Sequence, residues 1–67
     1  MILRLNGEEK TFSDKTDTVS KLLETLEVNA QRVAVEINGG IVDPKLFSET
    51  LIHDSDKVEI VSFVGGG

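Results

Sequence analysis

The chain ends in Val64-Gly65-Gly66-Gly67, and this tail is the part of the sequence best suited to chemistry. A terminal α-carboxyl has an ordinary pKa of about 3.3–3.7, so it is ionised at neutral pH and can attack the α-phosphate of ATP. The acyl-adenylate formed in this way passes its acyl group to sulfur or to an amine. Gly65 and Gly66 have no Cβ atoms, and three extended glycines reach roughly 10 Å at about 3.3–3.6 Å per residue. We therefore expect Gly67 to carry the reacting carboxyl on a flexible stem of residues 65–67. A frayed terminus or a cloning scar is the alternative.

Outside the tail, the sequence offers little reactive chemistry. There is no cysteine, so neither a disulfide nor a thiolate zinc site can form. His53 is the only histidine, and a calcium loop would need more acidic positions than Asp54 and Asp56. The serines follow no nucleophile-elbow pattern, and Gly39-Gly40 lacks the lysine of a phosphate-binding loop. We expect no metal site, a surface turn at His53, and no enzyme that acts alone.

Size and charge favour a small binding module, carrier or subunit. The chain has 67 residues, and a domain of this size buries only about 60% of the surface that its unfolded chain exposes. The formal net charge is -5, and the basic residues are scattered, which argues against binding to nucleic acid. An acidic surface suits a partner with a basic docking face, or it only keeps the protein in solution. No apolar run approaches the roughly 20 residues that span a bilayer, and we expect a cytoplasmic protein.

The first half of the chain predicts a hairpin followed by one helix. Residues 2–5 and 8–12 read as strands, and Asn6-Gly7 between them suits the positive φ angles of a type I′ turn. The side chain of Asp17 or Thr18 can accept hydrogen bonds from the unpaired backbone N–H groups in the first turn of a helix. The apolar residues that follow have the i, i+3, i+4, i+7 spacing of one helical face, namely Val19, Leu22, Leu23 and Leu26.

The second half predicts another hairpin and a last strand. A strand with one buried face is predicted by the alternation of Val33, Val35 and Ile37 with the residues between them. A turn at Asn38-Gly39-Gly40 and a short strand at 41–42 follow. An irregular stretch follows, then a turn at 54–56 and a strand over 57–64. One helix across a mixed sheet of about five strands buries both apolar faces. This order is that of the α+β β-grasp, or ubiquitin-like, fold over residues 1–64, with the last strand in the middle of the sheet.

The last strand also predicts a docking surface beside the tail. If Val58 and Ile60 face the helix, Val61 and Phe63 lie on the open face of the sheet. We expect Ile2 to join them from the first strand and Val64 to extend the surface toward the tail. Exposed apolar clusters of this kind often mark interaction sites. Coverage of this face by Phe12 or by a loop is the alternative.

Several short segments along the chain form a recognisable series. They are Leu5-Asn6-Gly7, Thr18-Val19 with Leu22-Leu23, Val33-Ala34-Val35-Glu36-Ile37-Asn38-Gly39, Ile41-Val42, Asp56-Lys57-Val58-Glu59-Ile60-Val61 and Val64-Gly65-Gly66-Gly67. Their order and spacing resemble the ThiS family of sulfur carrier proteins of thiamine biosynthesis, over essentially the whole chain. Three positions depart from the family pattern: Ser55 stands where glycine is usual, Phe47 where another aromatic is frequent, and Gly40 adds a glycine to the second turn.

The resemblance implies a mechanism and a set of partners. A ubiquitin-activating-like adenylyltransferase of the ThiF type would adenylate Gly67 with ATP. Sulfur that comes indirectly from a cysteine desulfurase would replace AMP and leave a thiocarboxylate. A thiazole synthase of the ThiG type would then take the sulfur. No cofactor would be bound by the carrier itself, which would be a co-substrate and not an enzyme.

Three other functions remain open from the sequence. The small subunit of molybdopterin synthase shares the fold and the Gly-Gly end, although that family is usually longer. A protein modifier that forms isopeptide bonds with lysines is the second alternative. The third is a β-grasp interaction domain whose tail has no role.

Overall fold

Five strands and one α-helix make up the regular structure of residues 1–63, the part of the chain that this computed structural model describes. The strands lie in one mixed sheet in the order β2-β1-β5-β3-β4, with β5 in the middle as predicted. Strand β5 runs parallel to β1 and antiparallel to β3. The elements are β1 (Ile2–Leu5), β2 (Glu8–Thr11), α1 (Val19–Thr25), β3 (Val33–Ile37), β4 (Gly40–Ile41) and β5 (Lys57–Ser62), with short 3-10 turns at Ala30–Arg32 and Pro44–Leu46.

Helix α1 begins where the sequence predicts. Thr18 is the N-cap, because its Oγ1 accepts a hydrogen bond from the Lys21 backbone N–H at 3.2 Å. Asp17, the other candidate, instead accepts a hydrogen bond from Lys21 Nζ at 3.1 Å. This bond from the Lys21 ammonium group lowers the pKa of Asp17. Val19, Leu22 and Leu23 are buried, as the helical spacing predicts.

The core lies between α1 and one face of the sheet. Alternation along the strands places every second residue on this face. Burying an aliphatic side chain of this size contributes about 1.5–3 kcal/mol relative to leaving it exposed. Besides the helix residues, the buried core contains Leu3, Leu5, Val33, Val35, Phe47, Ile52 and Val58. The opposite face of the sheet is the open face.

Both Asn-Gly pairs form the predicted turns. Asn6 and Gly7 have φ angles of 49° and 84°, and Asn38 and Gly39 have 52° and 87°. Positive φ at both central residues is the mark of a type I′ turn, whose twist matches the flanking strands. Ser55 also has a positive φ of 73°, in the turn before β5.

Three strand boundaries differ from the prediction. Strand β2 ends at Thr11 although the Phe12 backbone N–H still donates to the Met1 carbonyl at 2.8 Å. Strand β4 begins at Gly40, because the two-residue turn at Asn38-Gly39 already places Gly40 opposite Ile37. Strand β5 ends at Ser62. Across residues 1–63 the structure contains no helix with the length and apolar character needed to cross a membrane.

Candidate functional site

The predicted reactive residues follow the end of β5. Val64, Gly65, Gly66 and Gly67 lie outside the described residues, and β5 is the strand that precedes them in the chain. The last described backbone contact is between the Phe63 N–H and the Arg32 carbonyl at 3.1 Å. The central strand is therefore attached to the β3 side of the sheet up to the point where the tail starts.

Val61 and Phe63 form an exposed apolar surface at this end of β5. Val61 lies opposite Ala34 of β3 on the open face, and its side chain is 54% exposed. Phe63 is 60% exposed. Phe12, which could have covered them, packs instead against the buried core. We name Ala34, Val61 and Phe63 the tail-side patch, and all three residues are exposed.

Ile2 is not part of this patch. Since β1 and β5 are parallel and Arg4 pairs with Lys57, the start of β1 lies beside the start of β5. The Ser55 N–H donates to the Ile2 carbonyl at 2.7 Å. Val61 lies six positions beyond Ser55, which is roughly 20 Å at about 3.3 Å per residue. The expectation that Ile2 joins Val61 and Phe63 in one cluster is wrong, although Ile2 is itself 42% exposed.

Charged residues separate Ile2 from the tail-side patch on the open face. Arg4 lies opposite Lys57, and Glu36 lies opposite Glu59. Two pairs of like charge thus lie side by side along the central strand. The scattered positions of these residues in the sequence gave no sign of this grouping, because it depends on which strands pair and in which register.

The Asn6 side chain holds the second half of β5. Its Oδ1 accepts a hydrogen bond from the Ile60 backbone N–H at 2.7 Å, and its Nδ2 donates to the Ile60 carbonyl at 3.2 Å. The Asn6 backbone N–H also donates to the Val58 carbonyl at 2.9 Å. One turn residue therefore extends the pairing between β1 and β5 toward the tail.

Asn38 makes a similar set of contacts at the other end of β5. Its Oδ1 accepts from the Lys57 backbone N–H at 3.0 Å, and its backbone N–H donates to the Lys57 carbonyl at 2.7 Å. Its Nδ2 donates to Asp56 Oδ1 at 3.0 Å. The two Asn-Gly turns thus hold the central strand from opposite sides, and sequence reasoning identified them only as turns.

His53 lies in the exposed turn before β5. Its Nδ1 is 3.8 Å from Asp56 Oδ2, and the same carboxylate oxygen accepts the His53 backbone N–H at 2.8 Å. Asp56 therefore organises the turn. Among the described residues, no three potential metal ligands of the His, Cys, Asp or Glu type converge.

Comparisons with known proteins agree on one family. The model of the ThiS family matches residues 3–67. A solved structure of a thiamine biosynthesis protein (ThiS) from Geobacter metallireducens is 38% identical, covers 100% of both chains and superposes with a TM-score of 0.85. This match confirms the predicted β-grasp fold.

Two kinds of curated relative are similar to the chain. The sulfur carrier protein ThiS of Bacillus subtilis is 36% identical over 66 residues, which is 98% of this chain and 100% of that protein. A thiazole synthase of Paramagnetospirillum magneticum is 46% identical over 67 residues. The match covers 100% of this chain but 20% of that protein, so the chain spans one fifth of this larger relative. From its length-wide family match and its fold, the chain belongs to the ThiS family.

Proposed function

We propose that the chain is a sulfur carrier for the thiazole moiety of thiamine and serves as a co-substrate rather than an enzyme. The observation that carries the proposal is the family match, which extends through Gly67 at the predicted reactive end. The Bacillus subtilis relative, which is called a sulfur carrier protein, matches this chain over its own full length. The absence of cysteine from the sequence suits the role, because a thiol could attack an activated acyl group.

The chemistry proceeds at the carboxyl group of Gly67. A carboxylate oxygen attacks the α-phosphorus of ATP, the O–P bond forms and pyrophosphate leaves. Hydrosulfide, the form of the donated sulfur after a thiol has reduced it from the persulfide level, then attacks the acyl carbon, AMP leaves with the bonding electron pair, and the S–H proton is lost to solvent. The product is a thiocarboxylate in which sulfur has replaced one carboxyl oxygen. Gly65 and Gly66 are the slender stem that lets this group enter a partner's active site.

The partners in this proposal are two enzymes. A ubiquitin-activating-like adenylyltransferase adenylates Gly67 with ATP. The sulfur that replaces AMP comes indirectly from a cysteine desulfurase. A thiazole synthase accepts the sulfur in the cytoplasm. Support for the second partner comes from thiazole synthases of Paramagnetospirillum magneticum and Magnetococcus marinus, which each contain a stretch similar to this whole chain. In each of these proteins, a stretch similar to this chain thus occurs in a polypeptide that is called a thiazole synthase.

The tail-side patch supplies the docking surface. Val61 and Phe63 are more than half exposed on the open face, immediately before the tail. A partner that covers them also receives Val64 and the glycines that follow. Docking and chemistry would then be adjacent, so that binding energy at the patch holds the Gly67 carboxyl near its target.

Mass spectrometry tests the proposal. The chain is incubated with the activating enzyme, ATP and a sulfur donor, and its mass should increase by the exchange of one oxygen for one sulfur. A chain that lacks Gly66 and Gly67 is the matched control and should not gain sulfur. Sulfur transfer in the truncated chain would contradict the proposal, and lysine-linked conjugates would favour a protein modifier instead. Transfer of the sulfur to a molybdopterin precursor, with none to thiazole synthase, would reject the thiamine assignment.

A further inference from the structure

We propose that Asn6 is a positioning residue for sulfur loading, because it fixes the second half of β5, the strand that precedes the tail in the chain. This inference rests on the proposed function and names a residue that acts through the Ile60 backbone. Asn6 itself does not touch the reacting atoms. Its contribution is to the geometry of the strand that carries them.

Strand β1 stops before the second half of β5 and leaves that half without a neighbouring strand on this side. The paired residues of β1 and β5 are Arg4 with Lys57 and Leu5 with Val58, and the chain then turns away into the first hairpin. On this side of β5, the Ile60 N–H and carbonyl find both of their partners in the Asn6 side chain, at 2.7 and 3.2 Å. The amide thus replaces the strand residue that β1 does not provide.

Asparagine meets two requirements at this position. The backbone φ of 49° belongs to the left-handed region, which asparagine tolerates better than most residues that carry a side chain. Its short amide also carries one acceptor and one donor group, which fit the N–H and carbonyl of a single residue. Glycine would adopt the same φ but would offer no hydrogen-bonding group to the Ile60 backbone. Aspartate would offer acceptors for the Ile60 N–H but no donor for the Ile60 carbonyl.

The hydrogen bonds between Asn6 and Ile60 affect the last residues of β5 before the tail. Strand β3 holds β5 from the other side as far as Ser62, opposite Val33. With Asn6 in place, the strand is held on both sides up to Ile60. Without it, residues 59–62 of β5 are attached only to β3, and their position is less firmly fixed. The Gly67 carboxyl would then lie near ATP in fewer of the docked complexes, since small misplacements of reacting groups slow catalysis strongly.

Asn38 offers a matched control. It has nearly the same φ, precedes a glycine, and makes a comparable set of hydrogen bonds, but to Lys57 and Asp56 at the start of β5. Asn6→Gly and Asn38→Gly each keep the turn and remove one side chain. A general loss of stability should affect both variants alike, whereas a positioning role should separate them.

The first test is the rate of adenylation of the full chain by its activating enzyme. We expect Asn6→Gly to lower kcat by about fivefold with KM changed less than about twofold, because the tail-side patch is retained. Asn38→Gly should leave kcat within about twofold of the wild type. Asn6→Asp keeps an acceptor for the Ile60 N–H and should recover part of the lost kcat. Equal kcat values in Asn6→Gly and Asn38→Gly, or no recovery in Asn6→Asp, would overturn the proposal.

The second test does not depend on activity. Hydrogen exchange of the Ile60 amide should become up to about tenfold faster in Asn6→Gly, as expected for the loss of a net hydrogen bond, and should not change in Asn38→Gly. An unchanged Ile60 exchange rate would also overturn the proposal. If the wild-type chain is not adenylated at all, the proposed function fails, and this outcome is distinct from equal behaviour of the two variants.

Discussion

Glu36 and Glu59 lie directly opposite each other on β3 and β5, and both side chains are half-buried on the open face. Among the ion pairs of residues 1–63, neither carboxylate has a partner. Directly opposed like charges destabilise a sheet, because their repulsion is lost when the strands separate. The central strand thus carries an unfavourable interaction immediately before its apolar end.

Removal of one of these charges should stabilise the fold. We expect Glu36→Gln to raise the free energy of unfolding by about 0.2–1 kcal/mol, measured by urea denaturation at low salt. The gain should shrink at high salt, since salt screens partly exposed charges. Glu8→Gln on β2, opposite the apolar Leu5, is the matched control and should give no comparable gain. A Glu36→Gln variant that is less stable than the wild type would show that the carboxylate makes a favourable contact instead.

Ser55 provides a second stability prediction. Its φ of 73° is a left-handed conformation that costs an L-residue about 1–2 kcal/mol, whereas glycine adopts it without strain. Ser55→Gly should therefore stabilise the protein by roughly 0.5 kcal/mol, after the greater freedom of glycine in the unfolded chain is subtracted. Thermal unfolding monitored by circular dichroism measures the change. Ser48→Gly is the control, since Ser48 has no positive φ, and it should lower stability.

Local features of the fold were predictable from sequence, and long-range pairing was not. The apolar spacing after Thr18 and the two Asn-Gly pairs determine their structures through residues close in the chain. By contrast, Asn6 and Ile60 are 54 positions apart, and no short pattern indicates that one side chain binds the other's backbone. The wrong prediction for Ile2 also concerns long-range pairing. Alternation along β1 predicts which face of the sheet Ile2 lies on, but it does not predict which residue of β5 lies beside Ile2. The tail was identified from composition and resemblance alone.

Asp17 predicts a pH-dependent contribution to stability. The hydrogen bond from Lys21 Nζ lowers the pKa of Asp17 below its ordinary value of 3.8 in the folded protein. Its contribution is therefore present above the unfolded pKa and is lost as the pH falls through the lower, folded pKa. Asp17→Asn should lower the thermal midpoint at neutral pH, and the difference from the wild type should vanish in strong acid. Adding Lys21→Met to Asp17→Asn should cause little further loss, since the shared interaction is already gone. A difference that persists in acid would assign the effect to another contact of Asp17.

Phe63 tests whether the tail-side patch is a docking surface. The side chain is 60% exposed and lies outside the buried core, so Phe63→Ala should leave the free energy of unfolding nearly unchanged. Loss of an aromatic contact at an interface typically costs about 1–3 kcal/mol, and we expect the Kd for the activating enzyme to rise by about tenfold or more. Isothermal titration calorimetry with the activating enzyme and with thiazole synthase measures both affinities.

Leu51→Ala is the matched control for this experiment. Leu51 is similarly exposed at 55%, but it lies in the segment that pairs with Thr18 at the start of α1, away from the open face. Its replacement should change neither affinity. Since an apolar surface contributes to binding only where a partner covers it, equal effects of the two substitutions would indicate a general change in the protein. Unchanged affinity of Phe63→Ala for both enzymes would remove Phe63 from the docking surface and leave Val61 and the glycine tail as the remaining candidates.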